Sequence, residues 1–352
     1  MAPLHPRAAE RAPVEGSRAP TLVGRVIGGR FRIVQQLASG AMGVIHEAVD
    51  QDSGEVVALK LHRQDAQEHQ ARRLEREAEA MSALDTPHVV RVISSGHDQA
   101  LGAQYLVMER LRGMDLAGLL APISGLGIDT VLRIGAQACL GLRAAHDAGY
   151  LHRDLKPGNL FLSLGRGGVV TVKLVDFGLA KPRDSAQRTV LTAMGEVVGT
   201  PLYLSPEQAR GDRDIDPRSD VFSLGIVLVR CLLGRPPRDL GAGLLPFLEA
   251  LCSEQLPSLC AALPHVPPEV ARVIDRCTRL EPAARYPSAA ALLAELSALI
   301  ETDALHTRDL REHRPTSGTL VAVRIDDGET TRISTTPPIT AEQTRRLFPD
   351  ED

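Results

Sequence analysis

The apolar residues of this chain change their period near Gly113, and that change limits the fold more than any other feature. Before it, FRIVQQL from Phe31, GVIHEAV from Gly43 and EVVALKLH from Glu55 alternate apolar with polar or run short and β-branched. Such texture belongs to strands buried on at least one face. HVVRVISSGHD and QYLVMERL read as two further strands, and Gln67 to Leu84, charged, Ala-rich and free of Gly and Pro, reads as a helix. Beyond Gly113 the period becomes helical over Thr130 to Gly149, Val221 to Leu233, Pro268 to Leu280 and Ser288 to Ile300. Short strand-like pieces, NLFLS and VTVKLVDFG, lie between the first two of these helices. The irregular stretch from Leu179 to Ser205 that follows has the length of a functional loop. Strands followed by helices predict an α+β chain: a small antiparallel lobe over 29–110 and a larger, mostly helical lobe over 111–301. Residues 1–28 and 302–352, rich in Pro, Arg and Thr, read as flexible tails.

Composition excludes several classes. At 352 residues the chain can bury two cores, and with no Trp these must be built from Leu, Val, Ile and Ala. The net charge of −4 gives no general attraction for nucleic acid. The longest apolar run, Val221 to Gly234, is broken by Arg230 and too short to span a bilayer, and the N-terminus lacks the apolar centre of a secretion signal. A soluble cytoplasmic protein is expected. The five cysteines form no CxxC pair or metal-finger spacing and read as reduced thiols.

Four local patterns carry chemistry. Ser39-Gly40-Ala41-Met42-Gly43-Val44 turns between two predicted strands, where glycines let backbone N–H groups approach phosphate oxygens, although such a pair also suits a plain hairpin turn. Lys60 ends VVALK among apolar neighbours and needs a carboxylate or an anionic ligand. Glu77 is its natural partner, unless Glu75, Glu77 and Glu79 form only a solvated face with nearby arginines. Tyr150-Leu-His-Arg-Asp-Leu-Lys-Pro-Gly-Asn-Leu crowds an imidazole, three further ionisable groups and an amide into one loop. Asp176, in Val175-Asp176-Phe177-Gly178 at the end of an apolar strand, supplies with Asn159 two oxygens suited to Mg²⁺.

In this order the glycine hairpin, VALK, HRDLKPGN, DFG and Gly199-Thr-Pro-Leu-Tyr-Leu-Ser-Pro-Glu resemble the signature set of protein kinases, most closely the eukaryotic-like Ser/Thr kinases of bacteria. The resemblance covers about Gly29 to Ile300 and implies a bilobal kinase fold. It also implies transfer of the γ-phosphoryl group of Mg·ATP to protein Ser/Thr hydroxyls. By it, Lys60 holds the α/β-phosphates and pairs with Glu77; Asp154 takes the hydroxyl proton, Lys156 neutralises the γ-phosphoryl, and Thr200 bridges the two. Asn159 and Asp176 ligate Mg²⁺. Leu37, Val44, Ala58 and Phe161 sandwich adenine, Glu109 and Leu111 offer it backbone groups, and Met108 is the gatekeeper. Arg153 would bind a phosphorylated activation-loop residue, Thr192 before Thr189, and autophosphorylation in trans implies self-association. Glu207 calls for Arg285 as its cation, and Asp220 for orphan N–H groups or the catalytic loop's backbone. The sequence departs from the family at Ala38, the first of the usual three glycines, and at Phe222, where a Trp is usual. A non-catalytic scaffold would lack one of Lys60, Glu77, Asp154, Asn159 or Asp176, and all are present. A small-molecule acceptor would make GTPLYLSPE superfluous.

Overall fold

The computed structural model describes residues 22–40, 43–62, 78, 81–82, 84–177, 201–241 and 243–311. The N-terminal sheet contains β1 (Val26–Ile27), β2 (Phe31–Gly40), β3 (Gly43–Asp50), β4 (Val56–His62), β5 (Val92–Asp98) and β6 (Ala103–Glu109), in the order β1-β2-β3-β4-β6-β5. Every pairing in it is antiparallel. Alternation gives the sheet two apolar faces. Ile33, Ala48, Val57, Leu59 and Val107 close one core, whereas Ala58, Leu106 and Met108 join the larger core shared with the helical body. Within the stretch expected to be a helix from Gln67 to Leu84, Ala78, Met81 and Ser82 are helical, and Ala78 and Met81 are buried in that larger core. Glu77 lies outside the described residues.

The second body begins with β7 (Gly113–Asp115), α1 (Leu116–Leu120) and the 20-residue α2 (Ile128–Asp147). Its sheet adds β8 (Leu160–Leu164), β9 (Val169–Leu174) and β10 (Leu305–His306), in the order β10-β9-β8-β7. The remaining helices are α3 (Pro206–Arg210), α4 (Pro217–Leu233), α5 (Leu244–Ser253), α6 (Leu259–Ala262), α7 (Pro268–Cys277), α8 (Ala289–Ser297) and α9 (Thr307–Arg311). Boundaries follow local chemistry. Asp216 caps α4 by accepting from the Arg218 N–H, Pro217 starts it, and Gly234 ends it in the left-handed region at φ 72°. Close approach matters on α2, where a Cβ at Gly141 would lie 2.6 Å from the His88 carbonyl oxygen. The apolar run Val221 to Gly234 is thus a core helix, and among the described residues no helix is long and apolar enough to cross a membrane.

Two tail boundaries need correction. Residues 22–28, read as part of a flexible tail, include β1, and Ile27 is fully buried. A two-residue strand leaves no periodicity to detect; glycines with positive φ at 24, 28 and 29 shape its turns. Residues 302–311, read as the start of the second tail, form β10 and α9 and bury Leu305 and Leu310 completely. Residues 1–21 and 312–352 lie outside the described residues.

Candidate functional site

The loop between α2 and β8 is shaped through its main chain. Asp220, in the first turn of α4 and buried, accepts the backbone N–H groups of His152 (2.8 Å) and Arg153 (2.9 Å) and the His146 Nε2–H (2.8 Å). Burial works to raise the Asp220 carboxyl, but the hydrogen bond and charge of His146, with those of His152, outweigh it and hold the group below its ordinary range. Of the two partners the sequence left open for Asp220, the structure selects the catalytic loop's backbone. Gln208 Nε2 donates to the Arg153 carbonyl at 2.8 Å, so α3 grips the same turn. Arg153 itself adopts φ 59°, sparsely populated for a residue with a Cβ.

This turn presents Asp154. Its Oδ2 accepts from Lys156 Nζ (2.9 Å) and Asn159 Nδ2 (3.2 Å), and Asn159 Nδ2 also donates to the Asp154 carbonyl at 2.8 Å. The Asn159 nitrogen is thereby committed, and the amide oxygen is its remaining acceptor. Asn159 O accepts from Val175 N–H (3.0 Å), and His152 Nε2 donates to the Val175 carbonyl (3.2 Å), stitching the loop to the residue before Asp176. Burial lowers the His152 pKa against the raising influence of Asp220 and Asp154. Its neutral ring lies 4.6 Å from that of Phe177.

Asp176, at φ 52°, is the second non-glycine among the described residues with positive φ. Its Oδ1 meets Lys60 Nζ at 2.6 Å, across the boundary between the two bodies. Lys60 is buried, as its apolar neighbours required. The partner the structure shows for it is therefore Asp176; the expected Glu77 contact falls outside the described residues, as do Thr200, Thr189 and Thr192. Lys60, Met108 and Asp176 line one small cavity with His62, Met81, Val90 and Leu106. Burial, then the charge of Lys60, pushes the His62 imidazole down to about 4.

Register corrects one site residue. Ile45 lies opposite Lys60 and Glu47 opposite Ala58, whereas Val44 lies opposite Leu61. Residues directly opposite share a face, so Ile45, not Val44, stands with Ala58 and Lys60. Ile45 also packs on the core that contains Ala58 and Met108. The resemblance implies Val44 for this face, and the pairing puts Ile45, one position later, there. Gly43 is irreplaceable for a steric reason: at φ 149° its Cβ would lie 2.1 Å from the Leu61 carbonyl oxygen. Among the described residues, a Cβ at Gly40 would meet nothing within 4 Å.

The linker after β6 is braced on both sides. Glu109 pairs with Lys173 of β9 (2.8 Å), and its N–H donates to the Arg91 carbonyl (3.0 Å). Arg110 pairs with Glu47 of β3 (2.8 Å) and donates to the Leu111 carbonyl. Leu37 on β2 and Phe161 on β8 are both half-buried. Sequence reading missed Lys173, Arg110, Gln208, His146 and His62; only Gln208 carried a signal, the S-x-x-Q of a capping box.

Comparison with known proteins follows this geometry. The family model described as the protein kinase domain matches residues 31–296. The serine/threonine-protein kinase pkn3 of Myxococcus xanthus is 36% identical over 282 residues, which are 79% of this chain and 51% of that protein. PknA of Mycobacterium tuberculosis is 35% identical over 271 residues, 76% of this chain and 60% of that protein. This chain thus spans about half to three fifths of the length of these two relatives. The crystal structure of the Mycobacterium tuberculosis PknI kinase domain superposes with a TM-score of 0.62 at 26% identity, covering 80% of this chain and 99% of that one.

Proposed function

The chain belongs to the protein kinase family, and from that premise we propose that it transfers the γ-phosphoryl group of ATP to Ser and Thr hydroxyls of proteins. The observation that carries this reading is the Asp154 carboxylate, fixed by Lys156 and Asn159 on a loop stitched at Val175 to the Asp176–Lys60 pair. Phosphoryl transfer needs positioning and charge more than covalent help, and this arrangement supplies both.

Asp154 accepts the hydroxyl proton as the acceptor oxygen bonds to the γ-phosphorus and the bond to the β,γ-bridging oxygen breaks, releasing ADP. Lys156 faces the charge that gathers on the transferring group, and Lys60 holds the α/β-phosphates. Glu77 and Thr200 keep their assigned roles, the one pairing with Lys60 and the other bridging Asp154 and Lys156. The donor set fits magnesium: Asn159 keeps an amide oxygen and Asp176 a second carboxylate oxygen beyond the one at Lys60. Bound there, Mg²⁺ would neutralise phosphate charge and orient the leaving group. For adenine we assign Leu37, Ile45, Ala58 and Phe161 to its faces and Met108 behind it. The Glu109 carbonyl and Leu111 N–H take its edge, since the Glu109 N–H and Leu111 carbonyl are already engaged. Among the described residues nothing would crowd a group at Gly40, where we place the phosphates.

Regulation extends the proposal: phosphate on Thr192, placed in trans by a second copy, would draw the loop to Arg153. Thr192→Ala with undiminished activity would remove that part. The main reading is tested by incubating the pure chain with γ-labelled Mg·ATP and a generic protein substrate. Lys60→Met and Asp154→Asn should each lower labelling by about 10²- to 10⁴-fold. Label that ignores both variants, or none on any protein with the parent chain, overturns it.

A further inference from the structure

Residues 303–310 follow the matched kinase range, yet they complete a sheet that leads into the site. In β10, Leu305 pairs with Val170 and His306 with Val169. There the added strand stops, and β9 continues for four more residues toward Asp176. A strand edge within a core needs partners for its N–H and C=O groups. Two side chains supply them at Val172. Its N–H donates to Gln137 Oε1 at 2.8 Å, and its carbonyl meets His88 Nδ1 at 3.0 Å. The other end of the Gln137 amide, Nε2, donates to the Asp303 carbonyl at 2.7 Å. The two backbone partners fix this amide's orientation, since one can only donate and the other only accept. One buried side chain on α2 thus joins the terminal segment to the middle of β9.

The segment is held firmly enough to act through this link. Arg133, one turn before Gln137 on α2, donates to the Ala304 carbonyl (2.8 Å) and pairs with Asp309 (3.5 Å) and Asp129 (2.6 Å). Thr130 Oγ1 donates to the Asp309 carbonyl at 3.2 Å. Leu305 and Leu310 are fully buried. Farther along the same edge, Val90 N–H donates to the Leu174 carbonyl and Leu174 N–H to that of His88, so the end of β9 is clamped two residues before Asp176.

We propose that segment 303–310 and Gln137 position Asp176 for the reaction: the segment covers the first part of the β9 edge, and Gln137 transmits its presence to the middle of the strand. This rests on the reading of Asp176 as a metal ligand, and it makes Gln137 and Arg133 positioning residues that touch no reacting atom. Whatever disturbs the segment would then alter the metal requirement before it alters recognition of the protein acceptor.

The test uses the full chain with two disrupting variants and one conservative one. Gln137→Glu removes the donor to Asp303 while keeping an acceptor for the Val172 N–H. Arg133→Met removes bonds to the segment and to Asp129 and leaves β9 untouched. Hydrogen exchange should quicken in the peptide covering 170–176 in both. The Mg²⁺ concentration for half-maximal labelling should rise by about two- to ten-fold, the range one lost hydrogen bond commands, with the KM for the protein substrate unchanged. Arg133→Lys should restore part of the loss. If either variant loosens 303–311 alone, with exchange at 170–176 and the Mg²⁺ dependence as in the parent, the segment is only packed there and the proposal fails. Should Gln137→Glu not fold, Arg133→Met decides the matter. Exchange is read without turnover, so a parent chain that labels nothing would overturn the proposed activity and leave the exchange result to judge the segment.

Discussion

Ala38 replaces a glycine, and its backbone explains why the replacement is tolerated. It lies within β2, opposite Ile45, exposed and with no positive φ, so extended backbone accepts its Cβ without strain. Ala38→Gly should change the KM for ATP by less than about three-fold, because glycine gains nothing there beyond chain freedom. Because Ile45 and not Val44 shares the face of Lys60, Ile45→Ala should raise that KM roughly ten-fold, the effect of losing buried apolar contact, and Val44→Ala should not. Equal effects would refute the assignment of faces. Arg285 gives the residue scale its largest energy. All five of its N–H donors are used, two on Glu207 at 2.7 and 2.9 Å and the others on the carbonyls of Arg279, Arg218 and Leu280. Its guanidinium also lies 4.7 Å from the centroid of the Phe222 ring, so the Phe in place of a Trp still gives the cation an aromatic face. Arg285→Lys cannot reproduce this fork and should cost about 3 kcal/mol or more, read as a lower urea midpoint.

Elements communicate here through side chains that sequence patterns do not reveal. The strands and long helices were legible because alternation and helical period survive in a chain with few aromatics; α2 and α4 fall within four residues of their expected bounds. The grouping of Asp154, Lys156 and Asn159, and the proximity of Asp176 to Lys60, were legible in part because motif spacing orders these residues. The bracing around the linker was not, since Glu47 and Arg110 are far apart in sequence and each reads as a solvated charge. Glu47 takes Arg110 at 2.8 Å and Gln35 at 3.0 Å, and these two hydrogen bonds, Arg110 first, hold its carboxyl below the usual range. Both side chains of the ion pair remain partly exposed, so it is worth under about 1 kcal/mol. Glu47→Gln should therefore raise the KM for ATP by no more than about five-fold, and added salt should shrink the difference between variant and parent. A salt-independent effect would show that the tie between β3 and the linker is not electrostatic.

Across the whole molecule, burial leaves a set of histidines neutral. His46, His62, His88 and His152 are each lowered, burial being the largest cause, and His62 is carried to about 4. In the unfolded chain these imidazoles bind protons near pH 6.5, while in the folded chain they do not. Unfolding then takes up protons, so stability is full above about pH 6.5 and declines as the pH falls toward the folded values. Each such group contributes a slope of at most about 1.4 kcal/mol per pH unit within that window. Urea midpoints between pH 7.5 and pH 5 should fall steadily, and a flat profile would contradict the burial of these rings. Glu207 and Asp220 act in the same direction at lower pH, since their folded values are also depressed.

Asp220 has one more consequence. It grips the main chain of the loop at His152 and Arg153, not the groups that do chemistry. Silencing Asp154 should therefore leave the loop's outline standing. An inert Asp154→Asn chain loaded with nucleotide would hold a cognate protein without releasing a modified one. It would then serve as bait, with the captured sequence identifying the natural target.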